Sequence, residues 1–407
     1  MKISVIFSQK IYSGGGYQES LNSILRFIDS CPKNIEISII NISNNRIKEL
    51  EKLNIEIINI RVSLFTRLRV FFRYSILNFT SNIFPGNVKF VNIVKKVIGE
   101  TNCFERILEK YKVDLVYFLS PESIAFYLEK YNYIMTVWDL GFLSFNYLPE
   151  LRESFAFNSR DYYYRNVLKR AYCCIVDSEF TKEKIITNYN LSREKIFEVP
   201  FSPSFMLKEF KNRVKIKKTK KPYLLYPAQY SKHKNHIYLI EGIKKLRKDF
   251  NLDLELIFTG SDQGFLNELK TIAIKLKVDD LIKFFNFVSY KDLSNYYANA
   301  SALIMPSFIG PTNIPPLEAM EFNIPVIYPN NKENKEYFGE SFYYCDLNDI
   351  ENLCSIIIDI LKKPKLPKGY YDITLNKIKS KSEYLKFINY CQNFNKIAKL
   401  NNSNLIN

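Results

Sequence analysis

The stretch from Met305 to Pro329 combines residue types that suit the binding of an anion. Its apolar run predicts a strand that ends near Ser307, and Pro315 and Pro316 predict a helix start, because proline needs no hydrogen-bond partner in a first turn. Free backbone N–H groups and the positive end of the helix dipole would then face a cleft. These amides belong to Thr312, Asn313 and Ile314. The alternative is an ordinary strand, loop and helix connection in which Glu318 only balances charge.

A second candidate for anion binding is the loop after the predicted strand from Tyr223 to Ala228. Lys232 and Lys234 lie in this loop, at the carboxyl end of the strand, where one or both could pair with a phosphate. His233 and His236 are the only histidines of the chain. Two imidazoles without cysteines or carboxylates nearby in the sequence make a poor metal site, so we expect no metal here.

Three glycines, Gly14, Gly15 and Gly16, separate the first predicted strand from the helix that follows it. They let the backbone approach a ligand closely at the N-terminus of a helix. The segment is not G-x-G-x-x-G, and the chain has no G-x-x-x-x-G-K-[ST], so neither the dinucleotide nor the P-loop fingerprint is present. A plain flexible turn is the alternative interpretation.

Short apolar runs alternate with helical patterns along the whole chain, which is typical of parallel sheets covered by helices on both faces. The first series of predicted strands covers residues 2–8, 35–42, 55–60, 114–119, 133–139, 173–177 and 197–200. The second series covers residues 223–228, 252–260, 282–288, 302–307 and 325–329. We therefore predict an α/β protein with two Rossmann-like, doubly wound domains. Ligands bind at the carboxyl ends of the strands in such folds, so the cleft between the domains is the expected site.

A polar segment between the two series sets the predicted domain boundaries. Residues 208–221 are rich in lysine and predict a linker, which places the N-terminal domain at 1–207 and the C-terminal domain at 222–379. We expect residues 380–407 to contribute a helix that packs back on the N-terminal domain. Four side chains share one face of this helix, namely Phe387, Cys391, Phe394 and Ala398.

The chain carries 58 Lys and Arg residues against 42 Asp and Glu residues, a net charge of +16. This excess favours an anionic partner, such as nucleic acid, an acidic membrane or a phosphorylated ligand, while lysines on solvated helix faces are the alternative. No nucleic-acid-binding motif is present, so we expect no such partner. The seven cysteines show no C-x-x-C spacing and predict no disulfide framework. Without a signal-peptide pattern or an apolar run of about 18 residues, we expect a cytoplasmic protein.

The stretch from Arg61 to Phe79 mixes cationic and aromatic side chains at helical spacing. It could lie on an anionic membrane surface. An ordinary amphipathic helix packed on the N-terminal sheet is the alternative.

Taken together, these segments resemble the retaining glycosyltransferases of family 4, which have the GT-B fold. They resemble in particular a bacterial subgroup whose cleft loop reads Gly-Pro-Thr-Asn-x-Pro-Pro-Leu-Glu-Ala. The resemblance is strongest from Pro222 to Asp349, where it rests on Tyr226-Pro-Ala-Gln-Tyr230, His233-Lys-Asn-His236, Phe258-Thr-Gly260, Phe284-Phe-Asn-Phe-Val288, Met305-Pro-Ser307 and Gly310 to Ala319. The N-terminal half matches more loosely, through the three glycines, Thr136-Val-Trp-Asp-Leu140 and Asp177-Ser-Glu-Phe-Thr181.

The resemblance implies that the C-terminal domain binds a nucleoside diphosphate sugar as the donor substrate. Lys234 matches the basic residue that grips the donor diphosphate, and Glu318 matches the second glutamate of the family's E-x7-E element, which holds the ribose hydroxyls. Phe287 and Val288 match the stretch beside the nucleobase. Further donor contacts are expected at Gly15, Gly16, Gln229, Gly310, Thr312, Asn313 and Ile314.

Three positions depart from the family pattern. Gly310 stands where the first glutamate of E-x7-E would fall, and Gln229 stands where an arginine often accompanies the lysine. Phe142 lies near a position where relatives often carry a histidine, which leaves Asp139 as the polar candidate beside the acceptor; its alternative role is to cap the turn after a strand. The chain has no D-x-D triplet for a metal-bound diphosphate, so we expect metal-independent chemistry without a cofactor.

The resemblance thus implies a retaining hexosyltransferase that moves a sugar from the donor to a hydroxyl of a lipid-linked or saccharide acceptor. Lys234, Glu318 and Asp139 are the catalytic candidates. Such enzymes assemble bacterial surface polysaccharides, including O-antigen, or lipid-linked oligosaccharides, and peripheral contact with the inner face of the cell membrane would fit a lipid-linked acceptor. The alternative is a catalytically inactive subunit that binds nucleotide sugar and partners an active transferase.

Overall fold

The computed structural model describes residues 1–9, 14–43, 47–61, 63–84, 87–98, 102–214, 221–310, 313–363, 365–367 and 381–393. The N-terminal strands are β1 (Lys2–Phe7), β2 (Glu36–Asn41), β3 (Glu56–Asn59), β4 (Leu115–Phe118), β5 (Tyr133–Val137), β6 (Cys173–Val176) and β7 (Ile196–Glu198). They form a parallel sheet in the order β3-β2-β1-β4-β5-β6-β7. The order reverses between β1 and β4, so the carboxyl ends of these strands open a crevice.

A second parallel sheet forms the C-terminal domain. Its strands are β8 (Tyr223–Pro227), β9 (Glu255–Thr259), β10 (Ile282–Phe285), β11 (Ala302–Ile304), β12 (Val326–Pro329) and β13 (Tyr343–Cys345). They lie in the order β10-β9-β8-β11-β12-β13, and the reversal falls between β8 and β11. The predicted α/β class with two Rossmann-like, doubly wound domains is therefore confirmed.

Helices pack against both sheets. Those of the first half are α1 (Gly15–Ser30), α2 (Lys48–Glu51), α3 (Leu64–Ile83), α4 (Val88–Ile98), α5 (Cys103–Lys110), α6 (Gly141–Ser144), α7 (Pro149–Arg152), α8 (Ala156–Arg170) and α9 (Glu179–Tyr189). Those of the second half are α10 (Phe205–Lys211), α11 (His236–Phe250), α12 (Leu266–Lys275), α13 (Tyr290–Asn299), α14 (Ile314–Glu321), α15 (Lys332–Phe338), α16 (Ile350–Lys362) and α17 (381–393). Within the described ranges, no helix has the length and apolarity that a membrane crossing requires.

Alternation along the N-terminal strands builds an apolar layer on each face of the sheet. Ile3 and Val5 of β1 pack in one layer with Phe27 of α1, whereas Ile6 packs in the other with Leu108 of α5. Helix α17 closes the first of these layers, because four of its side chains are buried there. They are Tyr384, Phe387, Ile388 and Cys391. Phe394 and Ala398 of the predicted face lie outside the described residues.

Several strands are shorter than the apolar runs that predict them. The run at 252–260 enters the sheet only at Glu255, because the Leu252 N–H donates to the Leu246 carbonyl oxygen (3.1 Å) and closes α11. The run at 282–288 leaves the sheet after Phe285, so Phe287 and Val288 lie in a loop. The sequence analysis missed β13, whose half-buried Tyr343 and Tyr344 lie at the edge of the sheet and give no buried apolar run.

The predicted linker begins in a helix. Leu207 packs in the C-terminal core, and α10 extends to Lys211. The ammonium groups of Lys208 and Lys211 lie 3.4 and 3.5 Å from the carboxylate of Glu321, so the lysines of this turn pair with α14 instead of repelling one another. Residues 215–220 lie outside the described residues, and the domain boundaries stay a prediction.

Gly260 sets the distance between the carboxyl ends of β8 and β9. A Cβ atom at this position would lie 2.2 Å from the Ala228 carbonyl oxygen and 2.8 Å from the Gln229 amide nitrogen. We expect Gly260→Ala to lower the free energy of unfolding by about 3 kcal/mol, because main chain must shift to admit the methyl group. Urea-induced unfolding of the wild type and the variant measures this difference in free energy. Gly242→Ala, whose Cβ would meet only the flexible Leu353 side chain, serves as the control and should cost under about 1 kcal/mol.

Candidate functional site

Lys234 lies in the short helical turn between β8 and α11. The Tyr226 hydroxyl donates to its carbonyl oxygen (2.8 Å), and Asn235 starts α11 in the left-handed conformation. The Lys234 side chain is half-buried, and its Nζ donates to Ser307 Oγ (3.4 Å). Loss of water lowers the pKa of this ammonium to about 8, although the Asp139 carboxylate opposes the shift. The site therefore holds a cation whose charge is under-solvated, which an arriving anion would stabilise.

Residues 307–310 and Asn313 are linked by hydrogen bonds to the turn that carries Lys234 and to one another. The Phe308 N–H donates to the His233 carbonyl oxygen (3.0 Å), which joins the two loops. Gly310 has φ +90°, a conformation that favours glycine. Asn313 Nδ2 donates to the Gly310 carbonyl oxygen (2.6 Å) and to the Tyr328 hydroxyl (2.6 Å). These bonds fix the approach to α14, so the ammonium of the lysine turn and the first turn of α14 lie on one side of the domain.

Glu318 lies one turn into α14 and is buried. Its Oε2 accepts a hydrogen bond from the Tyr297 hydroxyl (2.6 Å), and the Ser204 backbone amide also bonds to the carboxylate. Burial nevertheless raises the pKa of Glu318 to about 7, because desolvation outweighs both bonds. The carboxyl group is therefore close to half-ionised at neutral pH, and its described partners are protein groups.

The glycine segment of the N-terminal domain lies beside Phe287 and Ile314 of the C-terminal domain. A Cβ atom at Gly14 would lie 3.8 Å from the Phe287 ring, and one at Gly15 would lie 3.9 Å from Ile314 Cδ1. Gly14 also has φ +90°, so it caps α1 in a conformation that favours glycine. A methyl group at Gly14 or Gly15 would therefore make ordinary van der Waals contact with the C-terminal domain.

Asp139 and Trp138 follow β5 at the carboxyl edge of the N-terminal sheet. Asp139 is exposed, and its Oδ1 accepts a hydrogen bond from the Gly141 amide (2.8 Å), the capping role that we give as its alternative. The Trp138 ring lies beside the glycine segment, since a Cβ atom at Gly16 would be 3.1 Å from it. Phe142 is buried and stacks on Tyr164 (6.0 Å between centroids), so the position where relatives often carry histidine belongs to the core.

A cleft of about 590 Å³ separates the two domains beside these loops. Ten polar side chains line it, including charges of both signs, namely Asp139, Glu150, Glu153, Arg160, Gln229, Ser231, Lys232, His233, Gln263 and Glu268. Glu150 spans the cleft, because its Oε1 accepts hydrogen bonds from the His233 amide (2.7 Å) and pairs with His233 Nδ1 (2.9 Å). Lys234, Glu318, Gly310 and Asn313 do not line this volume.

The predicted site residues thus fall into three groups. Lys234, Gly310 and Asn313 lie on the joined loops, and the electrostatic influence of Asp139 reaches Lys234 from the other domain. Gly15, Phe287 and Ile314 lie where the glycine segment meets the C-terminal domain, with half-buried Val288 beside Phe287, whereas Gly16 faces Trp138 and Gln9 of its own domain. Gln229 lines the open cleft, and Glu318 is buried against Tyr297. Thr312 lies outside the described residues.

Sequence analysis missed two charged groups at the same edge. Asp177 follows β6 as Asp139 follows β5, and these strands are parallel neighbours. Burial raises the pKa of Asp177 to about 7, and burial lowers the pKa of Lys184, an effect that nearby carboxylates oppose. The sequence does indicate Asp177 as a partner of Asp139, because carboxylates that end adjacent parallel strands meet at one edge of the sheet.

Gln18 forms a link between the domains that no sequence signal marks. Its Nε2 donates to the Tyr290 hydroxyl, and its Oε1 accepts a hydrogen bond from Ser204 Oγ (2.5 Å). Gln18 and Tyr290 are 272 positions apart, so spacing alone could not pair them. In the described part of the chain, no group of three or more His, Cys, Asp or Glu side chains is arranged to hold a metal ion. Metal independence stays a prediction.

Residues 208–374 match the protein family described as Glycosyl transferases group 1. The C-terminal half of the chain is similar to this family. The O-antigen chain mannosyltransferase RfbU of Salmonella typhimurium is 28% identical over 197 residues, which cover 48% of this chain and 53% of RfbU. The chain spans about half the length of the curated relatives it matches.

Solved structures confirm the GT-B fold over nearly the whole chain. A glycosyltransferase from Rickettsia africae is 16% identical with a TM-score of 0.61, and the match covers 97% of each chain. Alr3699/HepE of Anabaena, solved in complex with UDP-glucose, is 13% identical with a TM-score of 0.59, and the match covers 99% of this chain and 100% of that one. Both domains of the protein therefore follow the GT-B plan.

Proposed function

We propose that this protein is a retaining glycosyltransferase that moves a hexose from a nucleoside diphosphate sugar to an acceptor hydroxyl. The family match, the GT-B fold and the homologous O-antigen mannosyltransferase support sugar transfer in the assembly of a bacterial surface polysaccharide. The UDP-glucose complex of HepE, which shares the fold, supports a nucleotide-sugar donor. The acceptor would be a saccharide or a lipid-linked saccharide.

One observation carries the proposal: the Lys234 ammonium lies beside the loop that leads into α14. The Nζ···Oγ contact with Ser307 and the bond between Phe308 and His233 hold these features together. A departing nucleoside diphosphate needs positive charge that is already in place, since reorganisation during the reaction would cost free energy. The ammonium and the backbone amides of Asn313 and Ile314 supply such charge, whereas Pro315 and Pro316 have no N–H group to donate.

The reaction needs no protein nucleophile in this proposal. The bond between the anomeric carbon and the β-phosphate oxygen breaks, and its electron pair leaves with the diphosphate. The acceptor oxygen bonds to the same face of the anomeric carbon, and the hydroxyl proton passes to the departing phosphate oxygen. Lys234 stabilises the leaving group, Glu318 accepts hydrogen bonds from the ribose, and Asp139 lies on the acceptor side of the cleft. Closure of the domains would exclude water from this step.

The departures from the family pattern support a second candidate function. Gly310 offers no carboxylate and Phe142 is buried in the core, so a donor-binding subunit without transfer activity is the alternative. Thermal-shift measurements with UDP, GDP, ADP, CMP and dTDP identify the nucleotide first. Sugar conjugates of that nucleotide are then incubated with and without saccharide acceptors. Release of the nucleotide that depends on an acceptor supports transfer. Binding without release across the panel supports the alternative, and no nucleotide binding at all contradicts both.

The two shifted pKa values predict a narrow pH optimum. Glu318 must lose its proton to accept ribose hydroxyls, so kcat/KM should rise as pH increases through about 7. Lys234 must keep its proton to stabilise the diphosphate, so kcat/KM should fall as pH increases through about 8. A pH series of nucleotide release checks this. Lys234→Arg should move the basic limb beyond about pH 9, and a flat profile from about pH 6 to 9 would contradict the assignment.

A further inference from the structure

Helix α3 presents an apolar stripe to solvent. Phe65, Phe72 and Phe79 are 76%, 60% and 67% exposed, and they recur at helical spacing. Three aliphatic side chains, Leu68, Ile76 and Ile83, complete the same stripe and are also exposed. An ordinary surface helix buries its apolar face and exposes its charged one, whereas α3 exposes an apolar face to solvent.

The inward face of α3 confirms this arrangement. Arg73 is buried there in an ion pair with Glu129, beside buried Leu77. The Tyr74 ring packs on Phe126 at 4.8 Å between centroids, which anchors the helix to the segment after β4. The helix is therefore docked through a face that mixes Arg73, Tyr74 and Leu77, and its exposed phenylalanines lie on the opposite side.

Helix α4 extends the exposed apolar surface. It contacts α3, and the rings of Phe84 and Phe90 lie 4.6 Å apart where the chain turns from one helix to the other. Ile93 and Val97 follow Phe90 along one side of α4 and are 59% and 82% exposed. We call this combined surface of α3 and α4 the apolar platform.

The residues that form the apolar platform carry only positive charge, and Glu129 from a neighbouring segment pairs with Arg73 and Lys95 on the inward side. Residues 61–98 contain four arginines and three lysines but no aspartate or glutamate. Four of these cations are exposed, namely Arg61, Arg69, Lys89 and Lys96. A pocket of about 210 Å³ beside the platform is lined by three arginines, Arg69, Arg73 and Arg106, together with Val70, Ile76 and Ile98. Guanidinium groups beside aliphatic side chains suit a phosphate whose other end is apolar.

We propose that the apolar platform docks on an anionic phospholipid bilayer and lies in the plane of its interface. The aromatic and aliphatic side chains would enter the boundary between headgroups and acyl chains, while the cations pair with lipid phosphates. A 20-residue helix is about 30 Å long, so α3 alone gives an extended contact. A second copy of the chain is a poorer occupant, because a two-fold interface would press this cationic surface against itself. The proposal does not depend on the sugar-transfer reaction.

Co-sedimentation of the full chain with vesicles tests the proposal. We expect binding to vesicles of phosphatidylcholine mixed with phosphatidylglycerol, little binding to phosphatidylcholine alone, and release as salt rises. The triple variant Phe65→Ser, Phe72→Ser, Phe79→Ser should bind at least about tenfold more weakly. The variant Arg69→Glu, Lys89→Glu, Lys96→Glu should lose at least about as much. Because these side chains are exposed, both variants should keep the wild-type melting temperature.

Matched controls change equivalent exposed residues elsewhere. Phe250→Ser, and Lys244→Glu combined with Lys248→Glu and Lys275→Glu, should leave vesicle binding within about twofold of wild type. The proposal is overturned if wild type does not bind the mixed vesicles, or if the controls lose binding as strongly as the platform variants. It is also overturned if light scattering shows a dimer that the phenylalanine variant dissociates while vesicle binding is unchanged.

Discussion

Lys234→Met should lower kcat by about 10²- to 10³-fold while changing donor affinity much less. The ammonium stabilises charge that develops as the diphosphate departs, and removal of one preorganised group of this kind typically has an effect of this size. Methionine keeps the apolar stem of the side chain, so the packing beside Ser307 is preserved. Steady-state kinetics with the identified donor, combined with calorimetric measurement of donor binding, separates the two effects.

Lys232→Met is the matched control for this prediction. Lys232 lies two positions away in the same turn, is exposed, and places its ammonium 5.9 Å from the centroid of the Phe265 ring. We expect its loss to change kcat by less than about threefold. Equal losses in the two variants would show that the turn contributes through its overall charge, and unchanged turnover in Lys234→Met would remove Lys234 from the catalytic site.

Glu318→Ala should weaken donor binding by about 1.5 to 3 kcal/mol, which is about 10- to 100-fold in Kd. The carboxylate is buried, so hydrogen bonds from the ribose hydroxyls to it would form away from competing water. We expect kcat to fall less than the affinity, because this interaction is the same in the ground state and the transition state. Calorimetry with the nucleoside diphosphate measures the loss.

Tyr297→Phe distinguishes a donor contact from a structural role for Glu318. It removes the hydroxyl that bonds to Glu318 Oε2 but keeps the ring that stacks on Phe322. If Glu318 only maintains the fold, this variant and Glu318→Ala should both lower stability and leave donor affinity unchanged. The proposal instead expects Glu318→Ala to lose donor affinity and Tyr297→Phe to weaken it less, because loss of this hydrogen bond raises the pKa of Glu318 but leaves the carboxyl group in place.

The start of α14 shows what the sequence can predict. Pro315 and Pro316 restrict the backbone to conformations that suit a first helical turn, so the helix follows from local chemistry and begins at Ile314 as the structure shows. Twelve of the thirteen strands are predictable for the same reason, since each contains a short apolar run, whereas β13 does not. Strand ends were less accurate, because helix closure at Leu252 and the loop at Phe287 depend on contacts made elsewhere.

Contacts between the domains lay beyond sequence analysis. Glu150 pairs with His233, and Gln18 with Tyr290, across separations that no spacing rule connects. The direction of the Glu318 carboxylate depends likewise on Tyr297, a residue of another helix. The sequence likewise does not determine which face of α3 is buried, because its composition fits either a membrane surface or the protein core. The packing of Tyr74 and Arg73 in the structure shows which face is covered.

The most direct test of the central claim is a crystal structure of the protein soaked with the nucleoside diphosphate that gives the largest thermal shift. The proposed site predicts both phosphates within hydrogen-bond distance of Lys234 Nζ and the backbone amides at the start of α14, with the ribose near Glu318. A diphosphate bound instead to Lys232 and Arg160 in the open cleft, with Lys234 still bonded only to Ser307, would contradict it.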